Sequence, residues 1–478
     1  MVFIARSGLR LRNADMEISK NEEEKRMMEL KNKRVLVVGL GKSGLSAAMF
    51  LRAQGARVTV SDTRSAVALA HEIPALLDAG IMVESGGHGL LTFRRQDLIV
   101  VSPGVPMDTP EVQQTKAFGM PVIGEVELAS RFLQGQIVAI TGSNGKTTTT
   151  TLVGKIFSDA GVPTLVGGNI GLPVIDLVAE STPETVSVLE VSSFQLETVE
   201  EFHPRIAVIL NITPDHLDRH GSFESYVAAK ERIFAQQGAG DSLVLNADDR
   251  VTQMCAARAK SDVFWFSGTK AVRRGTFVRD GVIVWVEKEG GVTEPVMPVA
   301  EIHLKGAHNV ENVLAAVCVA RLAKIPAESI RASVAAFRAV EHRLELVRKV
   351  NGVEFYNDSK ATNVDAAMKA VASFGGGIHL ILGGKDKDSD YGAMSELLKE
   401  RVKAVYTIGT AAEKIERQLH GVVKMVQAGT MQKAVQEAAK AAVAGDVVLL
   451  SPACSSFDQF ENYEHRGRVF REIVNELS

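Results

Sequence analysis

The sequence predicts an α/β protein of three domains, and three observations predict it. Its 478 residues correspond to about three domains at roughly 150 residues each. From Arg34 onward, short apolar segments alternate with helical ones, and most of the apolar segments are continuous β-branched runs. Strands of that kind are buried on both faces, as in parallel sheets covered by helices. Glycine-bearing turns follow such strands in each third of the chain, at Gly39–Gly44, Gly142–Gly145 and Gly383–Gly384.

Met1 to Arg12 contains three arginines and no acid, yet neither an apolar core nor a small-residue cleavage signal follows. Met16, Met27 and Met28 are alternative starts, so residues 1–28 are expected to be an unstructured extension outside every domain. The first domain, 29–128, is built on strands at Val35–Val38, Arg57–Val60 and Leu98–Val101, with a helix at Gly44–Gln54. The middle domain, 129–339, has strands at Ile137–Ile140, Val186–Glu190 and Ile206–Leu210 and a helix at Thr147–Ala160. Tyr226–Phe234 reads as a short amphipathic helix, and Ser267–Val299 as a β excursion around a Glu-Gly-Gly turn. The last domain, 340–478, carries a helix at Ala361–Ala372 and strands at His379–Leu382, Ala404–Ile408 and Val447–Leu450.

Composition excludes several functions. With 54 Lys+Arg against 57 Asp+Glu the net charge is −3, and 5% aromatics make neither a basic nucleic-acid surface nor a base-stacking platform. At 46% hydrophobic and 23% charged residues the chain is globular, not disordered. The longest apolar run, Val313 to Ala320, stops at Arg321, too short to span a membrane. Three scattered cysteines, Cys255, Cys318 and Cys454, form no pairing pattern and fit a reducing cytoplasm. Partners are therefore expected among small molecules, not nucleic acid or membrane.

The strongest chemical element is Val138-Ala-Ile-Thr-Gly-Ser-Asn-Gly-Lys-Thr-Thr-Thr149. A strand runs into a glycine-rich turn, and Lys-Thr-Thr opens a helix. Such turns converge backbone N–H groups on phosphate oxygens, and the helix N-terminus adds positive potential. Lys146 would meet the β- and γ-phosphates and Thr147 would offer its hydroxyl to Mg²⁺. Ile140 stands where the general pattern has its first glycine, so the loop is shorter, and the plain alternative is a strand–turn–helix with a surface lysine.

Gly39-Leu-Gly-Lys-Ser-Gly44 follows a strand, and Asp62 stands 18 residues beyond its last glycine. This fits a dinucleotide fingerprint with Asp62 on a ribose hydroxyl, but also any nucleotide diphosphate or a bare tight turn. In Leu189-Glu-Val-Ser-Ser-Phe-Gln195, Glu190 ends a strand where a carboxylate can ligate Mg²⁺. His216 and His220 lie four apart, beside Asp215 and Asp218. A His–Asp pair near phosphate and metal is favoured over zinc or a solvated loop. Lys230 reads from spacing alone as a surface charge. Gly306-Ala-His-Asn-Val-Glu-Asn312, Glu341-His-Arg343, Asn357-Asp-Ser-Lys-Ala-Thr-Asn363, Leu382-Gly-Gly-Lys-Asp-Lys387 and Ser451-Pro-Ala-Cys-Ser-Ser-Phe-Asp-Gln-Phe460 each sit at a strand end or helix start. Together they suggest one cleft shared by three domains.

In order and spacing these motifs resemble the Mur ligases of peptidoglycan synthesis over about residues 33–475. Gly39–Gly44, Asp62-Thr-Arg64, Ser102-Pro-Gly-Val-Pro106 and the closing Ser451–Phe460 segment resemble most the members that add D-glutamate. The resemblance implies a Rossmann-like N-terminal domain, a central P-loop ATPase-like domain and a Rossmann-like C-terminal domain. The first would bind the UDP part of the substrate, with no NAD expected, through Gly41, Ser43, Gly44, Asp62, Thr63 and Arg64, joined by Asn169. ATP would lie on Gly142, Ser143, Asn144, Gly145, Lys146, Thr147, Thr148 and Thr149, completed by Asn312, Arg343, Asp358 and Lys360. D-Glutamate would meet Thr362, Lys387, Ser456 and Phe457. Mg²⁺ would be held by Thr147, Glu190, His216 and Lys230, the last carbamylated by CO₂, against its plain reading as a surface charge. Lys146, Lys230 and His216 would carry catalysis. The implied reaction activates the carboxylate of UDP-N-acetylmuramoyl-L-alanine as an acyl phosphate, which the amine of D-glutamate attacks. A monomer in the bacterial cytoplasm is expected.

Overall fold

The computed structural model describes residues 28–338 and 340–477. The extension expected over 1–28 lies outside them except for Met28, as does residue 339 at the second expected boundary. Three sheets follow one another along the chain. The first holds β1 (Arg34–Val38), β2 (Arg57–Asp62), β3 (Met82–Ser85), β4 (Leu98–Val101) and β5 (Val122–Gly124), in the order β3-β2-β1-β4-β5, all parallel.

The middle sheet has nine strands: β6 (Gln136–Thr141), β7 (Thr164–Gly168), β8 (Val186–Glu190), β9 (Ile206–Ile209), β10 (Ser242–Asn246), β11 (Asp262–Ser267), β12 (Gly275–Arg279), β13 (Val282–Val286) and β14 (Thr293–Pro298). Their order is β14-β13-β12-β11-β10-β9-β6-β8-β7. The expected β excursion supplies β12–β14; β12 joins β11 in parallel, and the two following pairings are antiparallel. The third sheet has β15 (Glu345–Val350), β16 (Val353–Asn357), β17 (Ile378–Gly383), β18 (Val402–Ile408), β19 (Lys424–Gly429) and β20 (Val447–Leu450), ordered β15-β16-β20-β17-β18-β19. Only its β15–β16 pair is antiparallel.

Six helices matter for the site: α1 (Lys42–Ala53), α2 (Lys146–Asp159), α3 (Phe223–Glu231), α4 (Ala307–Leu322), α5 (Val364–Ala372) and α6 (Tyr463–Asn475). The segment expected as a helix from Ala361 begins at Val364, because the Asn363 side chain accepts the Ala366 N–H and caps it. The central strands β1, β6, β8, β9, β17 and β20 follow the continuous apolar runs of the sequence. The edge strands β3, β7 and β19, with the sequences MVES, TLVGG and KMVQAG, are half exposed and carry no such run. Apolar packing passes unbroken from the first sheet into the middle one, through Val126, Leu128 and Ala129 against Val174 and Leu177. Two further cores cover the two faces of the third sheet. All three cysteines are free and buried. Among the described residues no helix is long and apolar enough to cross a membrane.

Candidate active site

The loop between β6 and α2 is shaped by its neighbours. Ser143 N–H donates to the Asn211 carbonyl (2.9 Å) and Asn144 N–H to Asn211 Oδ1 (2.8 Å). Ser143 Oγ donates to the Thr213 carbonyl (2.9 Å) and lies 3.0 Å from the Tyr226 hydroxyl. Gly145, at φ 86°, takes a left-handed turn that a side chain would both strain and push into Asn312. α2 then starts at Lys146, whose half-buried Nζ turns back to the carbonyls of Gly142 (2.8 Å) and Ser143 (2.9 Å). Desolvation lowers its pKa against the opposing pull of Glu190.

Glu190, fully buried at the end of β8, is satisfied on both oxygens: Thr147 Oγ1 donates to Oε2 and Asn169 Nδ2 to Oε1, each at 2.8 Å. The plain reading of Lys230 as a surface charge is wrong. Its side chain on α3 is 1% exposed, donates to the Gly142 carbonyl at 2.9 Å and lies 4.6 Å from the centre of the Tyr226 ring. Desolvation, reinforced by Lys146, holds its pKa well below the ordinary lysine value. The helical pattern could not show this, because the groups that bury Lys230 lie on β6 and the phosphate loop.

His216 sits at φ 54°, its Nε2 3.6 Å from Asp215 Oδ2 and its ring edge-on to Phe194. Desolvation lowers its pKa to about 4, which favours the neutral imidazole. His220 turns elsewhere, to Glu197 (3.1 Å) and Ser193 (3.0 Å).

The third sheet closes over these groups. Arg343 Nη2 donates to Thr147 Oγ1 (2.9 Å), and Asn144 Nδ2 to Asp365 Oδ2 (2.6 Å). Asp215 receives Asn363 Nδ2 at 2.9 Å and Lys387 Nζ at 3.6 Å. Burial pushes the Asp215 pKa up, but Lys387, His216 and the Asn363 hydrogen bond outweigh it and hold the carboxyl below its ordinary range. Asp358 accepts from Ser451 Oγ (2.9 Å) and Leu344 N–H (3.2 Å); burial raises it to about 7. Lys360 lies 3.7 Å from the centre of the Tyr463 ring, and desolvation, then Arg343, lowers it to about 8. Thr362 is half-buried in the turn before α5, Ser456 is buried after β20, and Phe457 beside it is 69% exposed.

In the first domain the turn after β1 lies at the switch point between β1 and β4, where open sheets bind ligands. A cleft of about 730 Å³ opens there, lined by Gly41, Ser43, Asp62, Thr63, Arg64 and Asn169 and reached by Thr147, Lys360 and Tyr463. Asp62 does not present free oxygens to it. Oδ2 accepts the Leu40 N–H (2.7 Å) and Oδ1 the Arg64 N–H (2.8 Å), while the Arg64 guanidinium covers both. Gly44 packs on the Gly39 carbonyl with no space for a side chain. A second cavity, about 50 Å³, is lined by Asn144, Gly145, Thr148, Asn312, Arg343 and Asp358. Thr149 is fully buried and lines neither cavity.

Sequence reasoning passed over Asn211 as a loop brace, Tyr226 beneath Lys230, Asp365 and the fully buried Arg466. The Arg466 guanidinium donates to Ser359 and to the Cys454 carbonyl. Tyr226 heads a helix read from the sequence, whereas Asp365 and Arg466 lie beyond the motifs singled out there, and the burial of Tyr226 and Arg466 is not legible in it.

Known proteins share these segments. Residues 33–124 match the N-terminal domain model of MurD-like Mur ligases, 140–320 the Mur ligase middle domain and 342–454 the Mur ligase glutamate ligase domain. This chain belongs to the Mur ligase family. Two relatives carry the name UDP-N-acetylmuramoylalanine–D-glutamate ligase. The one from Acidobacterium capsulatum is 67% identical, over 94% of this Mur ligase and 97% of its own length. The one from Koribacter versatilis is 59% identical, over 94% and 99%. In fold, this Mur ligase is similar to a pseudomurein peptide ligase type C from Methanothermus fervidus (TM-score 0.59, 21% identity, 94% of this chain and 100% of that one). It is also similar to the UDP-N-acetylmuramate-alanine ligase of Thermotoga maritima (0.59, 19%, 93% and 99%). The family has the architecture seen here: three α/β domains in series.

Proposed function

We propose that the protein is an ATP-dependent ligase that joins D-glutamate to UDP-N-acetylmuramoyl-L-alanine, in bacterial cytoplasmic peptidoglycan precursor synthesis. The observation that carries this reading is the cleft in which the first-domain turn, the phosphate loop and residues of the last domain meet. Relatives named for the same reaction support it.

The nucleotide-sugar end of the substrate lies on Gly41, Ser43 and Thr63, with Arg64 fixed by Asp62. Asn169 faces this cleft while holding Glu190, and so ties the two substrates' sites together. ATP takes the loop 142–148, with Asn312, Arg343, Asp358 and Lys360 around it. The substrate carboxylate oxygen attacks the γ-phosphorus and ADP leaves. The amine of D-glutamate then adds to the acyl carbon, loses a proton, and phosphate departs from the tetrahedral intermediate. Such chemistry needs positioning and charge neutralisation more than a protein nucleophile. Lys146 supplies positive charge at the transferring group. Lys387, with Thr362, Ser456 and Phe457, receives D-glutamate.

The donor set suits Mg²⁺: the Thr147 hydroxyl, the Glu190 carboxylate, the neutral His216 imidazole and, once carbamylated, Lys230. An ion held by these residues would neutralise phosphate charge. Carbamylation requires an uncharged amine, and Lys230 is buried beside a second lysine, which disfavours its ammonium form.

The test is phosphate release from ATP and UDP-N-acetylmuramoyl-L-alanine with D-glutamate, L-glutamate, L-lysine or meso-diaminopimelate in turn. Release with D-glutamate is expected; release confined to a diamino acid would sink the assignment.

A further inference from the structure

Arg343 stands in a turn strained on both sides. His342 has φ 63° and Leu344 φ 43°, values that residues other than glycine seldom adopt and that persist only when the surroundings over-determine them. Here they do. His342 N–H donates to Glu345 Oε2 (2.9 Å), its carbonyl accepts the Lys360 N–H (3.2 Å), and Leu344 N–H donates to Asp358 Oδ1 (3.2 Å). Arg471, on α6, ties Glu341 (2.7 Å) and Glu345 (2.6 Å) together.

The ring of His342 is the deepest part of this turn, with the residue 3% exposed. Its Nδ1 is 2.9 Å from Asn357 Nδ2, which also donates to the Gly467 carbonyl at 3.1 Å. The imidazole lies against α6 where Gly467 offers no side chain. A Cβ at 467 would stand 2.7 and 2.8 Å from Cε1 and Cγ of the ring, and closer still to Nδ1. With three ring atoms in the way and Asn357 holding Nδ1, a small rotation does not relieve the clash.

We propose that Gly467 and His342 form a joint that aims Arg343 at the phosphate loop: the bare helix face at 467 seats the His342 ring, and the seated ring holds the strained turn that carries Arg343 to Thr147. Neither residue lines the cleft or the nucleotide cavity, so both are positioning residues. The proposal rests on the reading of Arg343 as a nucleotide contact.

The experiment is steady-state kinetics with ATP and UDP-N-acetylmuramoyl-L-alanine varied separately. For Gly467→Ala, kcat/KM for ATP is expected to fall about tenfold or more, while KM for the UDP substrate stays within about twofold. In a His342→Ala background the added methyl has room, so Gly467→Ala should cost less than about twofold further. Wild-type ATP kinetics in Gly467→Ala, or losses that multiply in the double variant, would overturn the joint. If Gly467→Ala does not fold, His342→Ala against the double variant decides: a folded double variant matching His342→Ala supports the joint, and an unfolded or much slower one overturns it. Arg343→Ala with unimpaired ATP kinetics overturns the nucleotide reading of Arg343 and the joint with it. An impaired Arg343→Ala beside a wild-type-like Gly467→Ala overturns the joint alone.

Discussion

Lys146 and Lys230 donate to the same carbonyl oxygen, that of Gly142, at 2.8 and 2.9 Å. Two ammonium groups cannot share one neutral acceptor in a desolvated site without cost, and the more deeply buried of the pair yields. That is Lys230, and the proposed carbamylation is expected on its amine. In carbamylation an N–C bond forms, a proton leaves to solvent, and a cation becomes a carboxylate. Labelled bicarbonate should give a carbamate ¹³C signal in the wild-type protein that is missing in Lys230→Ala. Identical spectra for the two proteins would refute the modification.

In the proposed reaction Lys146 serves the transferring phosphoryl group. Lys146→Ala removes a contact made in the transition state and should cost on the order of 3 kcal/mol, roughly a hundredfold in kcat. Turnover within a few-fold of wild type, read as phosphate release, would contradict that role.

The cavity lined by Asn144, Asn312, Arg343 and Asp358 holds only about 50 Å³, whereas ligand pockets run to several hundred. If ATP binds there, as proposed, the last domain is expected to swing away before it enters. The contacts that resist it are Arg343–Thr147, Asn144–Asp365 and Asn363–Asp215. Small-angle scattering should differ between the free protein and the protein with ATP and UDP substrate. Superimposable curves would count against a large movement.

Glu125 lies in the packed segment that joins the first two sheets. It is 1% exposed; Oε1 accepts the Ile175 N–H at 2.7 Å and Oε2 has no partner. Burial raises its pKa from 4.5 to about 7. Between those values the native state holds a proton that the unfolded chain has released. Its contribution to stability is thus complete below about pH 4.5 and lost as pH rises to about 7. Glu125→Gln should flatten that fall and stabilise the protein at pH 8 by up to about 3 kcal/mol. A melting temperature at pH 8 no higher than wild type would refute the raised pKa.

Much of the fold was legible because it is local. The phosphate loop after β6, the glycine turn after β1 and the central strands of each sheet are written in contiguous residues whose pattern is set by backbone geometry and two-sided burial. The edge strands β3, β7 and β19 were harder to read because each is partly exposed and its apolar run disappears. Asp62 shows a subtler gap. Its spacing from Gly44 pointed to a ribose hydroxyl, but a carboxylate at that point can serve a ligand or the turn itself. Only the positions of Leu40 N–H and the Arg64 guanidinium assign its oxygens to the turn.

The chain by itself determined an α/β protein of about three domains, the place of the phosphate loop and the residue types around it. Tertiary structure alone decided that Lys230 is buried against that loop, that Arg343 reaches Thr147 and that Gly467 shapes the turn holding Arg343. The reason is physical. Secondary structure follows from neighbours in sequence, whereas desolvation, pKa and steric fit depend on groups brought together from far along the chain, which no local pattern records.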